Sequence, residues 1–324
     1  MNCYCHFTIQ EREKLLLLIA AGKKNSEIAK ALNRSASTIS REIRRNTRER
    51  RNEYSAVAAQ QRYYTKRKNS VRKYILANSD AAKTVSLLLE KAWSPEQISN
   101  RLKYEKSKIS VSQRTIYRAI EKGLIDPTLR KKLRYKGKIH NGGHKKSKCG
   151  HLNIDFTIHD RPKSVEGRKT QGHWESDTVR GAKWSGCIGT HVERKSRYLV
   201  LCKIPNRTAS EFTSATITAF LGIPKNKIKS FTVDHGKEFA NHRELSEKIN
   251  CKVYFADPHA PYQRGTNENF NGLLRQFFPK RTSFKDVTQE DVDAIAELLN
   301  QRPRKCLGWK TPEEVFFNKS LHLT

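Results

Sequence analysis

The segment PHAPYQRGTNENFNGLLRQFFP, residues 258–279, gathers on one stretch the side chains that phosphate chemistry requires. Thr266 can cap a helix over residues 267–278, and Pro279, lacking an N–H, cannot continue it. Glu268, Asn271, Gly272 and Arg275 then stand at i, i+3, i+4 and i+7, so a carboxylate, an amide, bare backbone and a cation share one face. Phe270, Leu273, Leu274, Phe277 and Phe278 form the stripe that docks the helix. A single Glu on such a face is ordinarily a solvated surface charge. Two further acids change the weighting: Asp177 falls inside a strand segment, residues 172–180, and Asp234 follows another, residues 229–233. Three carboxylates around divalent metal ions are what phosphodiester cleavage needs. Each aspartate alone has a plainer reading, as an edge charge or a turn residue. Glu175, two residues from Asp177 on the same strand face, competes with it, and spacing leaves that choice open. Arg275 would hold a phosphate or base near the scissile bond, with His173, Asn267, Asn269 and Asn271 as orienting groups.

Positioning these acids requires a sheet. Segments 172–180, 186–193 and 197–204, parted by turn-like residues, read as a meander of three antiparallel strands. A helix over 209–221, a strand over 229–233, a helix over 238–249 and a strand over 252–255 precede the Glu268 helix. The fold class expected is α/β, a mixed five-stranded sheet flanked by helices. Asp177 and Asp234 become neighbours if the first and fourth strands pair, at the strand ends where crevices of such sheets form.

The remainder of the chain is built to grip a polyanion. Its 324 residues carry 64 Lys and Arg against 32 Asp and Glu, a net charge of +32, with most of the excess in residues 1–150. Thr8 and Glu11 form a capping box for a helix with Leu15, Leu16, Leu18 and Ile19 inward, closing near Gly22. A short helix over 26–32 and a third over 36–45 follow. The third turns Ala36, Ile39, Ser40 and Ile43 inward and presents Ser37, Thr38, Arg41, Arg44 and Arg45 to a major groove. Ser94-Pro95-Glu96-Gln97 opens a second helix-turn-helix, whose Ser112-capped reader buries Ile116, Ala119 and Ile120 and shows Gln113, Arg114, Tyr117 and Arg118. Charged helix faces are often only solvated; the repeated spacing and local basicity favour DNA binding. Residues 48–72 read as a basic spacer helix and 126–149 as a basic linker with almost no core. Seven cysteines, an odd number, fit reduced thiols. Neither Cys3, Cys5 and His6 nor His140, His144, Cys149 and His151 have the paired spacing of a zinc site. The apolar run at 15–21 is too short for a membrane span and its charged flank is wrong for a leader, so no membrane partner is expected.

GHWESD (172–177), FTVDHGKEF (231–239) and QRGTNENFNGLLRQFFP (263–279) resemble the three catalytic blocks of bacterial insertion-sequence transposases of the Asp-Asp-Glu type, the IS-thirty family. Residues 235–267 separate the second acid from the third, similar to that family's spacing. Arg161-Pro162, Arg302-Pro303-Arg304 and the Thr311 to Glu314 capping box add smaller matches, and the resemblance covers nearly the whole chain. It implies an RNase H-like core with Asp177, Asp234 and Glu268 as the catalytic and metal-binding triad. Two Mg²⁺ ions, with Mn²⁺ as a substitute, would serve strand nicking and strand transfer. The implied partners are double-stranded DNA, as terminal inverted repeats and as target, and further copies of the chain in a homodimer or larger oligomer, in the bacterial cytoplasm beside the nucleoid. The expected organisation is readers at 1–50 and 91–125, a spacer at 51–90, a linker at 126–165 and the catalytic domain at 166–324. A DNA-binding regulator with an inactive nuclease-like domain, or a metal-dependent endonuclease without strand transfer, are the alternatives. The family pattern has Gly where Ser176 stands and Asn where His235 stands; His235 could face the metals, or shape the turn before Gly236 by adopting left-handed backbone.

Overall fold

The computed structural model describes residues 5–47, 53–70, 74–77, 80–134, 153–258 and 260–322, in two compact units, Met1–Tyr74 and Ile75–Thr324. Most of the His- and Cys-containing groups weighed above as zinc ligands, Cys3, His140, His144, Cys149 and His151, lie outside the described residues.

The first unit is helical: α1 (Ile9–Ala20), α2 (Asn25–Ala31), α3 (Ala36–Asn46) and α4 (Ala56–Ser70). Thr8 and Glu11 make the reciprocal capping box, and Ser35 caps α3 by accepting from the Thr38 amide. Leu15, Ile28, Ile39 and Ala59 fill the core, so the basic spacer helix, as α4, packs into this unit. Three inward assignments differ from the sequence reading. Leu16 is 37% exposed. On α3 the buried positions are Ile39, Glu42 and Asn46, with Ala36 and Ser40 exposed. The rotation has a physical cause: Glu42 can go inside because Arg12 Nε bonds its carboxylate at 2.8 Å, a pairing across 30 residues that helical periodicity alone does not report.

The second unit begins with α5 (Asp80–Glu90), α6 (Pro95–Tyr104) and α7 (Gln113–Glu121). The expected Ser94 capping box and Ser112 cap are both present. α5 falls in the stretch expected to be a helical spacer, but it is part of the core: it supplies Val85, Leu88 and Leu89 to a cluster around Trp93, Ile98, Leu102, Ile116 and Ile120. Leu129 and Leu133 are buried in the same core, so the stretch read as core-free begins as a packed 3-10 helix, Pro127–Lys132.

The sheet follows: β1 (His173–Arg180), β2 (Cys187–Glu193), β3 (Leu199–Ile204), then α8 (Ala209–Phe220), β4 (Ser230–Val233), α9 (His242–Ile249), β5 (Lys252–Phe255), α10 (Gly265–Leu274), α11 (Gln289–Asn300) and α12 (Pro312–Phe317). The strand order is β3-β2-β1-β4-β5, with β1 to β3 antiparallel and β4 and β5 parallel to β1. The mixed five-stranded sheet of the sequence reading is therefore present. Alternation along β1 sorts its faces. Trp174 packs with Phe220, Phe231 and Phe316 on the α8, α9 and α12 side. Val179 packs with Phe270, Leu274 and Leu299 on the α10 and α11 side, the side that Glu175 and Asp177 also share. The edge of β3 is covered by α11 through two carboxamides: Asn300 pairs both ways with the Leu199 backbone at 2.8 Å, and Gln289 accepts from the Lys203 amide at 2.8 Å.

Arg101 of α6 joins the helical layer to the sheet domain. Its side chain is fully buried, forks onto both Glu314 oxygens at 2.7 Å, and donates to Glu105 at 2.6 Å and to the Trp309 and Leu321 carbonyls. Removing one partner of such a pair strands the other charge in the interior. Arg101→Ala should cost about 3 to 5 kcal/mol of unfolding free energy, read from denaturant midpoints, whereas Lys310→Ala on the exposed surface should cost less than about 0.5 kcal/mol.

Candidate active site

β1 and β4 pair in parallel, Glu175 opposite Thr232, so the condition set by the sequence is met: Asp177, inside β1, stands near Asp234, which directly follows β4. Their carboxylates converge on one positive charge. Arg264 Nη2 donates to Asp234 Oδ2 at 3.0 Å, and Arg264 Nη1 lies 3.5 Å from Asp177 Oδ2. Asn271 Nδ2 donates to the same Asp177 oxygen at 3.0 Å. Asp234 Oδ1 accepts from the Gly236 amide at 2.8 Å, which closes the turn after β4. Burial pushes the Asp177 carboxyl above the ordinary carboxylate range; the Arg264 charge opposes that shift, and Asp234 adds to it. A methyl group at Gly236 would stand 2.5 Å from Glu238 Oε2, so a larger residue there requires the Glu238 carboxylate to shift.

Glu175 has a different task. It is 1% exposed; Oε1 accepts from Arg194 Nε at 3.0 Å, and Oε2 accepts from the Thr266 and Asn267 amides at 3.0 and 3.1 Å. It is the N-terminal cap of α10, supplied from the sheet. This explains where the sequence reading of that helix failed. With the cap coming from Glu175, the helix starts at Gly265, and Thr266 is not its N-cap; the Thr266 hydroxyl accepts from Arg197 Nη1 at 2.7 Å. The helix also ends at Leu274, short of the expected residue 278. Arg275 lies beyond it, with Nη2 donating to the Arg180 carbonyl at 2.8 Å, where it ties the end of β1.

The asparagines of the third block seat the helix. Asn267 Nδ2 donates to the Glu175 and Thr190 carbonyls at 2.8 and 3.0 Å, bridging β1 and β2, while Thr190 Oγ1 lies 3.0 Å from Asn271 Oδ1. Asn269 is exposed. His173 Nδ1 is 2.8 Å from Ser230 Oγ, and burial, reinforced by Lys229, lowers its imidazole to about 4. Ser176 reaches His191 Nδ1 at 2.8 Å inside the core. His235 does not adopt left-handed backbone, contrary to the turn argument made from sequence; its ring lies 5.7 Å from that of Phe255.

Glu268 is exposed, one turn after Arg264. Among the described residues no group of three or more His, Cys, Asp and Glu side chains surrounds one point. What is assembled is a pair of hard carboxylates around the Arg264 guanidinium; Glu268 is not gathered with them. All-oxygen donors of this kind suit Mg²⁺ or Mn²⁺, and the guanidinium stands in for that positive charge. Sequence reasoning missed Arg264, whose place one helical turn before Glu268 was the available signal. It also missed Glu238, which takes a hydrogen bond from Thr178 Oγ1 at 2.8 Å and an ion pair from Arg207.

The reader residues are displayed largely as expected. Ser37, Arg41, Arg44 and Arg45 are exposed on α3; Thr38 is half-buried, 2.8 Å from Ser35 Oγ. Gln113, Arg114, Tyr117 and Arg118 are all exposed on α7. Among the described residues no helix is long and apolar enough to cross a membrane.

A helix-turn-helix domain model matches residues 3–46, and an integrase core domain model matches residues 167–261. The transposase InsI of insertion sequence element IS30A from Escherichia coli (strain K12) is 39% identical over 320 residues, covering 96% of this chain and 83% of that protein. The transposase of insertion sequence element IS1086 from Cupriavidus metallidurans is 36% identical over 315 residues, covering 94% and 92%. Among solved structures, the catalytic core domain of BIV integrase matches at 18% identity over 46% of this chain and 95% of that one, with a TM-score of 0.36. A helix-turn-helix domain followed by an RNase H-like integrase core is the equipment of a DNA-binding protein that cuts and joins DNA, and the chain belongs to the IS30 family of insertion-sequence transposases.

Proposed function

We propose that the chain recognises the terminal inverted repeats of its own element through α3 and α7, and nicks and joins DNA at a centre formed by Asp177, Asp234 and Glu268. The observation that carries this reading is the convergence of Asp177 and Asp234 on a single cationic group, with Glu268 one turn farther along the same segment. Two Mg²⁺ ions, replaceable by Mn²⁺, would be held by these three carboxylates. When bound they supply charge stabilisation to the attacking and departing oxygens of the phosphodiester.

The protein's own groups prepare that site. Asn271 fixes the Asp177 carboxylate by one oxygen, and Thr190 fixes Asn271. Arg264, once displaced from between the aspartates, places a permanent cation beside the phosphate to be cleaved. Glu175 cannot substitute for Asp177, because both its oxygens are committed to Arg194 and α10. In the first step a water oxygen bonds to phosphorus and the 3′ oxygen departs, leaving a 3′-hydroxyl. In the second that hydroxyl attacks a target phosphodiester and releases a target 3′ oxygen. The chain would act as a homodimer or larger assembly on DNA, in the bacterial cytoplasm beside the nucleoid.

Incubating the full chain with labelled element-end DNA and Mg²⁺ tests the reading. Nicked and joined products are expected from the wild type, and Asp177→Asn, Asp234→Asn and Glu268→Gln should each lose them while still shifting end DNA in a gel. Stable end binding with no product in either Mg²⁺ or Mn²⁺ would instead support a regulator. For the readers, Arg41→Ala or Arg118→Ala should weaken binding of the terminal repeat by about 1 to 3 kcal/mol where the arginine contacts a base, with little change on random DNA. Equal losses on both DNAs would reassign that arginine to backbone contact.

A further inference from the structure

Beside the first turn of α10 lies a cavity of about 250 Å³ whose lining includes Arg168, Arg197, Arg304, Thr266, Asn269 and Cys306, and no Asp or Glu. Its arginines arrive from three separate places: after the 3-10 turn Lys163–Val165, in the β2–β3 turn, and before the 3-10 turn Lys305–Leu307. Like charges so placed repel, and the fold does not neutralise them. Glu175 attracts Arg168, yet it is already bonded to Arg194 and to the α10 amides. Arg304 is held against the Phe270 ring at 4.6 Å, and its buried Nε has no hydrogen-bond partner. Burial, together with Arg302, lowers its guanidinium to about 9. Arg168 and Arg197 both sit in left-handed backbone, at φ 51° and 64°, a conformation costing non-glycine residues on the order of 1 kcal/mol or more. A glycine or asparagine would meet the backbone demand more cheaply. What the arginines add is their side chains, aimed at one cavity.

We propose that this cavity binds a phosphate group, and that its occupant is a backbone phosphodiester of the DNA strand engaged at the neighbouring reaction centre. Planar guanidinium forks match phosphate oxygens in geometry as well as charge, and an anion there relieves the repulsion among the three cations. Asn269 lines the cavity and directly follows Glu268 in α10. A phosphate held here would fix the strand's register against the third carboxylate, as backbone contacts do throughout DNA recognition. Naming DNA as the source of the phosphate rests on the proposed catalytic role of that helix; the cavity's preference for an anion does not.

Cys306 is an exposed free thiol in the cavity lining, so it reports occupancy. The full chain, without divalent metal, is alkylated with iodoacetamide, and Cys306 modification is followed by peptide mass spectrometry. The arms are no ligand, element-end duplex, and inorganic phosphate at matched ionic strength. Protection of Cys306 by the duplex is expected in the wild type and in Glu268→Gln, and it should be largely lost in Arg168→Ala, a change at an exposed position that leaves α10 capped. Arg168→Ala should also lower the slope of log affinity against log salt by about 1, the signature of one phosphate contact. Unchanged Cys306 labelling at saturating duplex, or wild-type affinity and salt slope for Arg168→Ala, would overturn the proposal. Protection by inorganic phosphate but not by duplex would overturn the assignment to DNA. Because no step needs metal or turnover, a chain that fails to nick still gives a clear result here.

Discussion

Glu175 reaches Arg194 with one oxygen and the Thr266 and Asn267 amides in the first turn of α10 with the other, from a side chain that is 1% exposed. A carboxylate taken out of water costs several kcal/mol unless charge and hydrogen bonds replace its hydration. Here an arginine and the positive end of a helix supply both. The same contact sets distances elsewhere. Glu175 and Asp177 stand two residues apart on one strand face, and Thr266 and Glu268 stand two apart at the start of the helix it caps. Fixing the cap therefore fixes where Glu268 can stand relative to Asp177. Asn267, bridging β1 and β2, and Asn271, reaching Asp177, lock the rotation of the helix that the cap has positioned.

A protein with a net charge of +32 might be expected to crowd its few acids with nearby arginines, and the division of labour among its arginines is informative. Arg12, Arg101 and Arg194 are spent on buried carboxylates and are structural. Arg264 lies between two aspartates that would otherwise repel each other, and its charge lets them converge. The arginines of α3 and α7 project into solvent with no such duty. Cations of the first kind can be lost only with the fold, whereas those of the last kind are free to answer to DNA sequence.

How far the sequence could be read follows from the range of the interactions involved. Capping boxes at Thr8, Ser94 and Thr311 act within four residues and were legible, as were the five strands; the pairing of β1 with β4 entered only as a condition, because it joins residues far apart in the chain. The errors cluster where a partner comes from far along the chain. Glu42 points inward because of Arg12, and α10 starts early because its cap comes from β1 rather than from Thr266. The choice between Glu175 and Asp177, open on spacing alone, turns on the same long-range contacts. Arg264 was passed over because its one local signal, a place one helical turn before Glu268, says nothing of the two aspartates that separate strands deliver to it. α5 lies inside the stretch read as a helical spacer, and what that reading lacked was its role in the core, where Val85, Leu88 and Leu89 are buried.

Locating the metals by anomalous scattering tests the central claim most directly, using crystals of the full chain with its end DNA soaked in Mn²⁺. The expected result is Mn²⁺ bounded by Asp177, Asp234 and Glu268, with Arg264 withdrawn from Asp234 and Glu175 still capping α10. Mn²⁺ bound instead at Glu175 or Glu238, with the Arg264 bridge between the two aspartates intact, would contradict it.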